Sequence, residues 1–186
     1  MTAASLDRPE REAARAAAEL VGRLLLVEID ADTLASLRAP GVREALVELG
    51  IDLPSEADEQ SWLDERAADY HDLFLNPEGG PLVQSLWIQG RYEGDATVRV
   101  RELARAANLE FQRDNARSAA PDHLGSLLLL WAASESSAPA IADEIAAQHL
   151  AWSAAPLARI VEAGGFYGAV AEAALALVEV LGCDPS

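Results

Sequence analysis

Residues 121–131 read PDHLGSLLLLW, an Asp-His pair at the head of a strongly apolar run. Placed on a helix, Leu124, Leu127, Leu128 and Trp131 fall on one face, which marks the run as a buried helix over 121–133. Pro121 suits the first helical turn, where its missing N–H costs nothing. Asp122 would face the positive end of the helix dipole, an interaction of about 0.3–1 kcal/mol. At 100° per residue His123 lies at the border of the stripe, above Leu127 and Leu130, while Asp122 points away from it. Spacing alone thus describes a capped core helix with a border histidine. A catalytic or metal half-site and a recognition surface are the other uses such a pair could have.

The same helical spacing recurs outward from this stretch. A first helix is expected from about Pro9 to Val27, with Asp7 and Pro9 as start signals. Two short helices follow near 31–38 and 41–49, divided by Pro40-Gly41 and closed by Gly50. A stronger helix carries Leu63, Ala67, Tyr70 and Phe74 at i, i+4, i+7 and i+11, with Trp62 and Leu73 widening its buried face. Further helices are expected near 95–107, 139–150, 154–162 and 166–181, the last with Val170, Ala174, Leu177 and Leu181 on one side. The stretch 76–95 has no helical pattern, yet it holds Leu82, Val83, Leu86, Trp87 and Ile88, more apolar side chains than a solvated linker needs. No run alternates as a strand, and no repeat is visible. The expectation is one all-α domain over 1–186, with eight or nine helices of irregular length.

Composition narrows the functions. The chain has 186 residues, of which 51 % are hydrophobic, enough for a real core. Its net charge of −17, from 31 acidic and 14 basic residues, repels a phosphate backbone or an anionic membrane and attracts basic peptides. All the basic residues are arginine, which reads as compositional bias. Ten acidic residues lie between Glu48 and Glu78 against Arg66 alone: a solvated face, or an acidic rim beside an apolar cleft. Six arginines between Arg91 and Arg117 give the opposite sign nearby. A single cysteine, Cys183, excludes an internal disulfide. The N-terminus lacks a signal-peptide core, and no window is apolar enough to span a bilayer, so a cytoplasmic location is expected.

The chemistry-bearing residues do not assemble in sequence. His71, His123 and His149 are each alone on their helices, without the i, i+4 partner of a helical zinc motif. His71-Asp72 resembles the dipeptide of the HD-type metal-dependent phosphohydrolases, but no histidine precedes it as the further ligand. A hydrolase using His71, Asp72, Asp122 and His123 stays as one alternative, and a generic acidic interaction module as another. No nucleophile elbow, P-loop or dinucleotide fingerprint is present. No cofactor, metal or catalytic residue is expected.

Five segments in order carry a resemblance: YHDLFLNP (70–77), PLVQSLW (81–87), PDHLGSLLLLW (121–131), HLAWSAAPL (149–157) and FYGAVAEAAL (166–175). Together, over roughly 60–186, they resemble the TorD/DmsD/NarJ family of chaperones for molybdenum-containing redox enzymes. Pro-Asp-His is the family's most recognisable mark, often preceded by glutamate where this chain has Ala120. The resemblance implies a cytoplasmic chaperone, not an enzyme. It would bind the N-terminal, commonly twin-arginine, segment of a molybdenum-containing oxidoreductase and hold back export until the cofactor is inserted. A basic-apolar peptide needs negative charge beside an apolar groove, as this composition offers. Carried over by position, the client-contact candidates are Tyr70, Phe74, Trp87, Asp122, His123, His149 and Trp152. The aromatics would form groove walls, Asp122 would pair with a client arginine, and His123 would touch the client or orient the loop 76–95. Relatives form exchanged dimers and some bind nucleotide weakly; a homodimer stays open, while no phosphate-binding motif is present.

Overall fold

The computed structural model describes residues 7–76, 79–111 and 120–182, and in them the chain is helical with no strand. The first helix, α1 (Arg8–Leu26), begins where the sequence signals it. The Asp7 carboxylate accepts from the Glu10 N–H and the Glu10 carboxylate accepts from the Asp7 N–H, a reciprocal capping box with Pro9 in the first turn. Two seven-residue helices follow, α2 (Ala31–Leu37) and α3 (Val42–Glu48). Gly41 and Gly50 both take positive φ, 84° and 72°, which is why glycine punctuates these turns.

The chain then forms α4 (Glu59–Tyr70), which runs on into a π-helical turn, His71–Leu75. Next come α5 (Gln84–Gln89), α6 (Asp95–Ala106) and α7 (Leu124–Glu135). After α7, α8 (Pro139–Ile145) passes through a second π turn, Ala146–Leu150, and a short 3₁₀ turn, Ala151–Ser153. α9 (Ala154–Ala163) and α10 (Gly165–Val180) complete the described fold.

Two expectations are corrected here. The stretch 76–95 is not free of helix: α5 lies inside it, too short for a periodic pattern to reveal. The helix of the opening stretch starts at Leu124, three residues later than Pro121 implied, with His123 as its N-cap. Residues 121–123 therefore lie off the helix, and angular placement on it misassigns them. Asp122 is completely buried, not outward.

α7 is the axis of the core. It is buried almost all round, from Leu124 through Ser134, as expected of a helix whose apolar residues exceed one stripe. α1 packs along it most extensively, α8 and the second π turn cover another side, and α10 joins α1 to α9. The crossing of α1 over α7 is close because glycine meets glycine. A Cβ on Gly125 would stand 2.5 Å from the Gly22 carbonyl oxygen and 2.6 Å from Leu26 Cγ. Farther along, Tyr70, Phe74, Phe166, Tyr167 and Trp62 build an aromatic cluster with ring centroids 5.0–5.8 Å apart, joining α4 to α10.

Candidate functional site

The Pro-Asp-His element sits where three otherwise separate segments meet. Two backbone bonds pair it with the chain before α5: Leu124 N–H donates to Leu82 C=O at 2.8 Å, and Gln84 N–H donates to Asp122 C=O at 3.0 Å. They form an isolated antiparallel bridge between Val83 and His123. The Asp122 carboxylate extends the junction. Its Oδ2 accepts from Ser85 N–H at 2.8 Å, and its Oδ1 accepts from the Thr97 hydroxyl at 2.8 Å. Asp122 therefore ties the first turn of α5 to the first turn of α6. Hydrogen bonds to a charged acceptor contribute about 1.5–3 kcal/mol each, so this carboxylate is a principal fastener of the region.

The two buried histidines hold opposite tautomers. His123 Nδ1 accepts from Gly125 N–H at 3.1 Å and caps α7, which requires that nitrogen to be unprotonated. Burial pushes its pKa down to about 4, against the weaker upward pull of neighbouring Asp122. His149, in the second π turn, faces Gln84. The Gln84 amide donates through Nε2 to Gln148 C=O at 3.2 Å, which turns its Oε1 toward His149 Nδ1 at 2.8 Å. His149 Nδ1 is thus the protonated nitrogen, and burial holds its pKa below the ordinary histidine value. Its Nε2 is a bare acceptor, buried and without a hydrogen-bond partner among the described residues.

The remaining candidates separate into two groups. Tyr70 and Phe74 belong to the buried aromatic cluster, and the Tyr70 hydroxyl donates to Leu26 C=O at 2.8 Å. Burial raises the Tyr70 pKa to about 12. Trp87 and Trp152 are half-buried. Trp87 Nε1–H donates to Pro81 C=O at 2.9 Å, and the Arg159 guanidinium stacks 5.0 Å from its ring centroid. Trp152 Nε1–H donates to His149 C=O at 2.8 Å. The fold thus gathers Trp87, Asp122, His123, His149 and Trp152 around α5, while Tyr70 and Phe74 pack in the cluster between α4 and α10.

Three residues of this junction were not among the candidates: Gln84, Ser85 and Thr97, all buried. Thr97 was detectable, because it occupies the stripe of Val100, Leu103 and Ala104 on α6, and a polar residue in an apolar stripe asks for a partner. Gln84 and Ser85 carried no such signal without the helix they begin. The acidic helix α4 presents Asp64 and Glu65 outward and the π turn after it Asp72, with Arg66 paired to Glu65 and Asp69 and lying over Trp62. Of the arginines from Arg91 onward, Arg91 pairs with Asp95, Arg99 with Glu102 and Glu144, and Arg101 with Glu93. Arg113, Arg117 and Cys183 lie outside the described residues. His71 and Asp72 are exposed on the first π turn. Among the described residues no three His, Cys, Asp or Glu side chains are grouped to hold a metal, so His71, Asp72, Asp122 and His123 do not converge on one. No helix of the described residues is long and apolar enough to cross a membrane.

Helices, a buried polar junction and a surface of half-buried aromatics beside carboxylates define an all-helical scaffold whose polar groups join elements together. Residues 36–158, more than half of the chain, match the profile of the family described as nitrate reductase delta subunit, and the chain belongs to that family. It is the NarJ/TorD-like family of molybdoenzyme maturation chaperones. The match begins within α2, upstream of the segments that carried the resemblance, and ends at residue 158, before FYGAVAEAAL; residues 1–35 lie outside it. No curated protein matches the chain.

Proposed function

We propose that this protein is a cytoplasmic, system-specific chaperone that binds the N-terminal, twin-arginine-type segment of a molybdenum-containing oxidoreductase. It would assist cofactor insertion and assembly before export. Membership of the delta-subunit family carries this reading. Charge and surface support it. A signal segment joins a basic end to an apolar stretch; α4 offers exposed Asp64 and Glu65 and half-buried Trp62, and the π turn after it exposed Asp72 and Leu75. Trp87 and Trp152 supply half-buried aromatic surface at α5. Because Asp122 and His123 are buried and bonded, their first role is to organise this surface.

The test is binding of a synthetic peptide with two adjacent arginines followed by an apolar run. It should bind the full chain with an affinity that falls as salt rises, since part of the attraction is screened charge. Replacing both arginines with glutamine should weaken it by about tenfold or more. Equal binding of the two peptides would remove the twin-arginine element. A pull-down from the native lysate that recovers no molybdoenzyme subunit would remove the client.

A further inference from the structure

The segment 84–94 is held to the body chiefly by polar contacts. Between Val83 and Val100 no apolar side chain is fully buried; the buried ones there are Gln84, Ser85 and Thr97. Leu86 and Trp87 are half-buried, and Ile88 and Tyr92 are exposed. What holds the segment is polar: Ser85 N–H on Asp122, Gln84 between His149 and Gln148, and Trp87 folded back on Pro81 under Arg159. Freeing the segment breaks a few hydrogen bonds, the strongest to the Asp122 carboxylate, but uncovers no fully buried apolar side chain of its own. The segment also contains its own bends. Gly90 ends α5 at φ 67°, and Glu93 holds a left-handed φ of 54°, a conformation that is unfavourable for a residue with a Cβ and relaxes when the segment is freed. Under it lies the Asp122 carboxylate, whose Oδ2 loses the Ser85 N–H on release.

We propose that residues 84–94 form a clasp that opens as a unit ahead of global unfolding, and that the opened form is the one that grips the client. Opening removes Ser85 N–H from Asp122 and Gln84 from His149. It leaves the Asp122 carboxylate bonded to the Thr97 hydroxyl alone, with Oδ2 free to accept from a guanidinium. This second half rests on the client reading above; the first does not.

Hydrogen exchange on the full-length protein, followed by mass spectrometry, decides the first half. The amides of Ser85, Trp87 and Gly90 should exchange about a hundredfold faster than those of α7, through an opening with little denaturant dependence. Exchange of the clasp only together with α7 would overturn the proposal. Gln84→Ala decides the second half. Removing that tie should raise clasp exchange about tenfold and, because apparent affinity scales with the competent fraction, tighten the twin-arginine peptide by a similar factor. Faster exchange with unchanged or weaker peptide affinity would overturn the gating role. Failure of the peptide to bind either form would instead sink the client reading, with the clasp still judged by exchange.

Discussion

Replacing Asp122 with alanine removes the acceptor that joins α5 to α6 and leaves two fully buried donors, Ser85 N–H and the Thr97 hydroxyl, facing an apolar gap. Each lost bond was to a carboxylate, and each stranded donor keeps its desolvation cost, so a loss of about 3–5 kcal/mol is expected. Thr97→Val keeps the shape and removes one donor, for about 1–2 kcal/mol. The informative quantity is the coupling. With Asp122 already alanine, the Thr97 hydroxyl has lost its carboxylate, and valine should then cost almost nothing. The double mutant should therefore fall short of the sum by about 1–2 kcal/mol. The lower end applies if the hydroxyl turns to Ser85 Oγ, 3.5 Å away. Urea unfolding followed by far-ultraviolet circular dichroism and by tryptophan fluorescence gives all four stabilities and checks that the transitions coincide. Should Asp122→Ala not fold, Asp122→Asn in the same cycle retains the shape and one acceptor. A loss below about 1 kcal/mol for Asp122→Ala, or additivity within about 0.5 kcal/mol, would refute the fastener role.

Two further outcomes follow from the packing and the histidines. Gly125→Ala should destabilise by about 2–3 kcal/mol despite alanine's better helix propensity, because the new Cβ meets the backbone of α1; a stabilised variant in thermal unfolding would show that the helices can part freely. Stability should also fall on acidification from about pH 6.5 to pH 4. His123 protonates in the unfolded chain near its ordinary value but in the folded chain only at about 4, so over that window the unfolded state binds more protons and gains. The drop attributable to His123 is about 3 kcal/mol, and His149 adds in the same direction. In His123→Asn, where the cap acceptor is kept without titration, the drop should shrink; an unchanged pH profile would exonerate this residue.

The helical class, the start of α1 at Asp7 and Pro9, the glycine turns at Gly41 and Gly50, and the apolar stripes of α4 and α10 were legible because each is local. A cap, a positive φ or a 3.6-residue period is a property of neighbours in sequence, and the structure keeps these within a residue or two. The acidic balance was equally legible, being a sum. The opening stretch shows where local reading stops. Its leucines announced a buried helix, which it is, but Asp122 was assigned outward because its partners lie 37 and 25 residues away.

Only the tertiary structure could bring Ser85 N–H and Thr97 to that carboxylate, give His149 its tautomer through Gln84, and reveal α5, a helix too short to have a period. A buried charge is tolerated only where donors converge on it, and convergence is a fact of three dimensions. Sequence alone thus determined which residues could be helical and where the charge lay; the fold decided which polar side chains are inside, and what they hold.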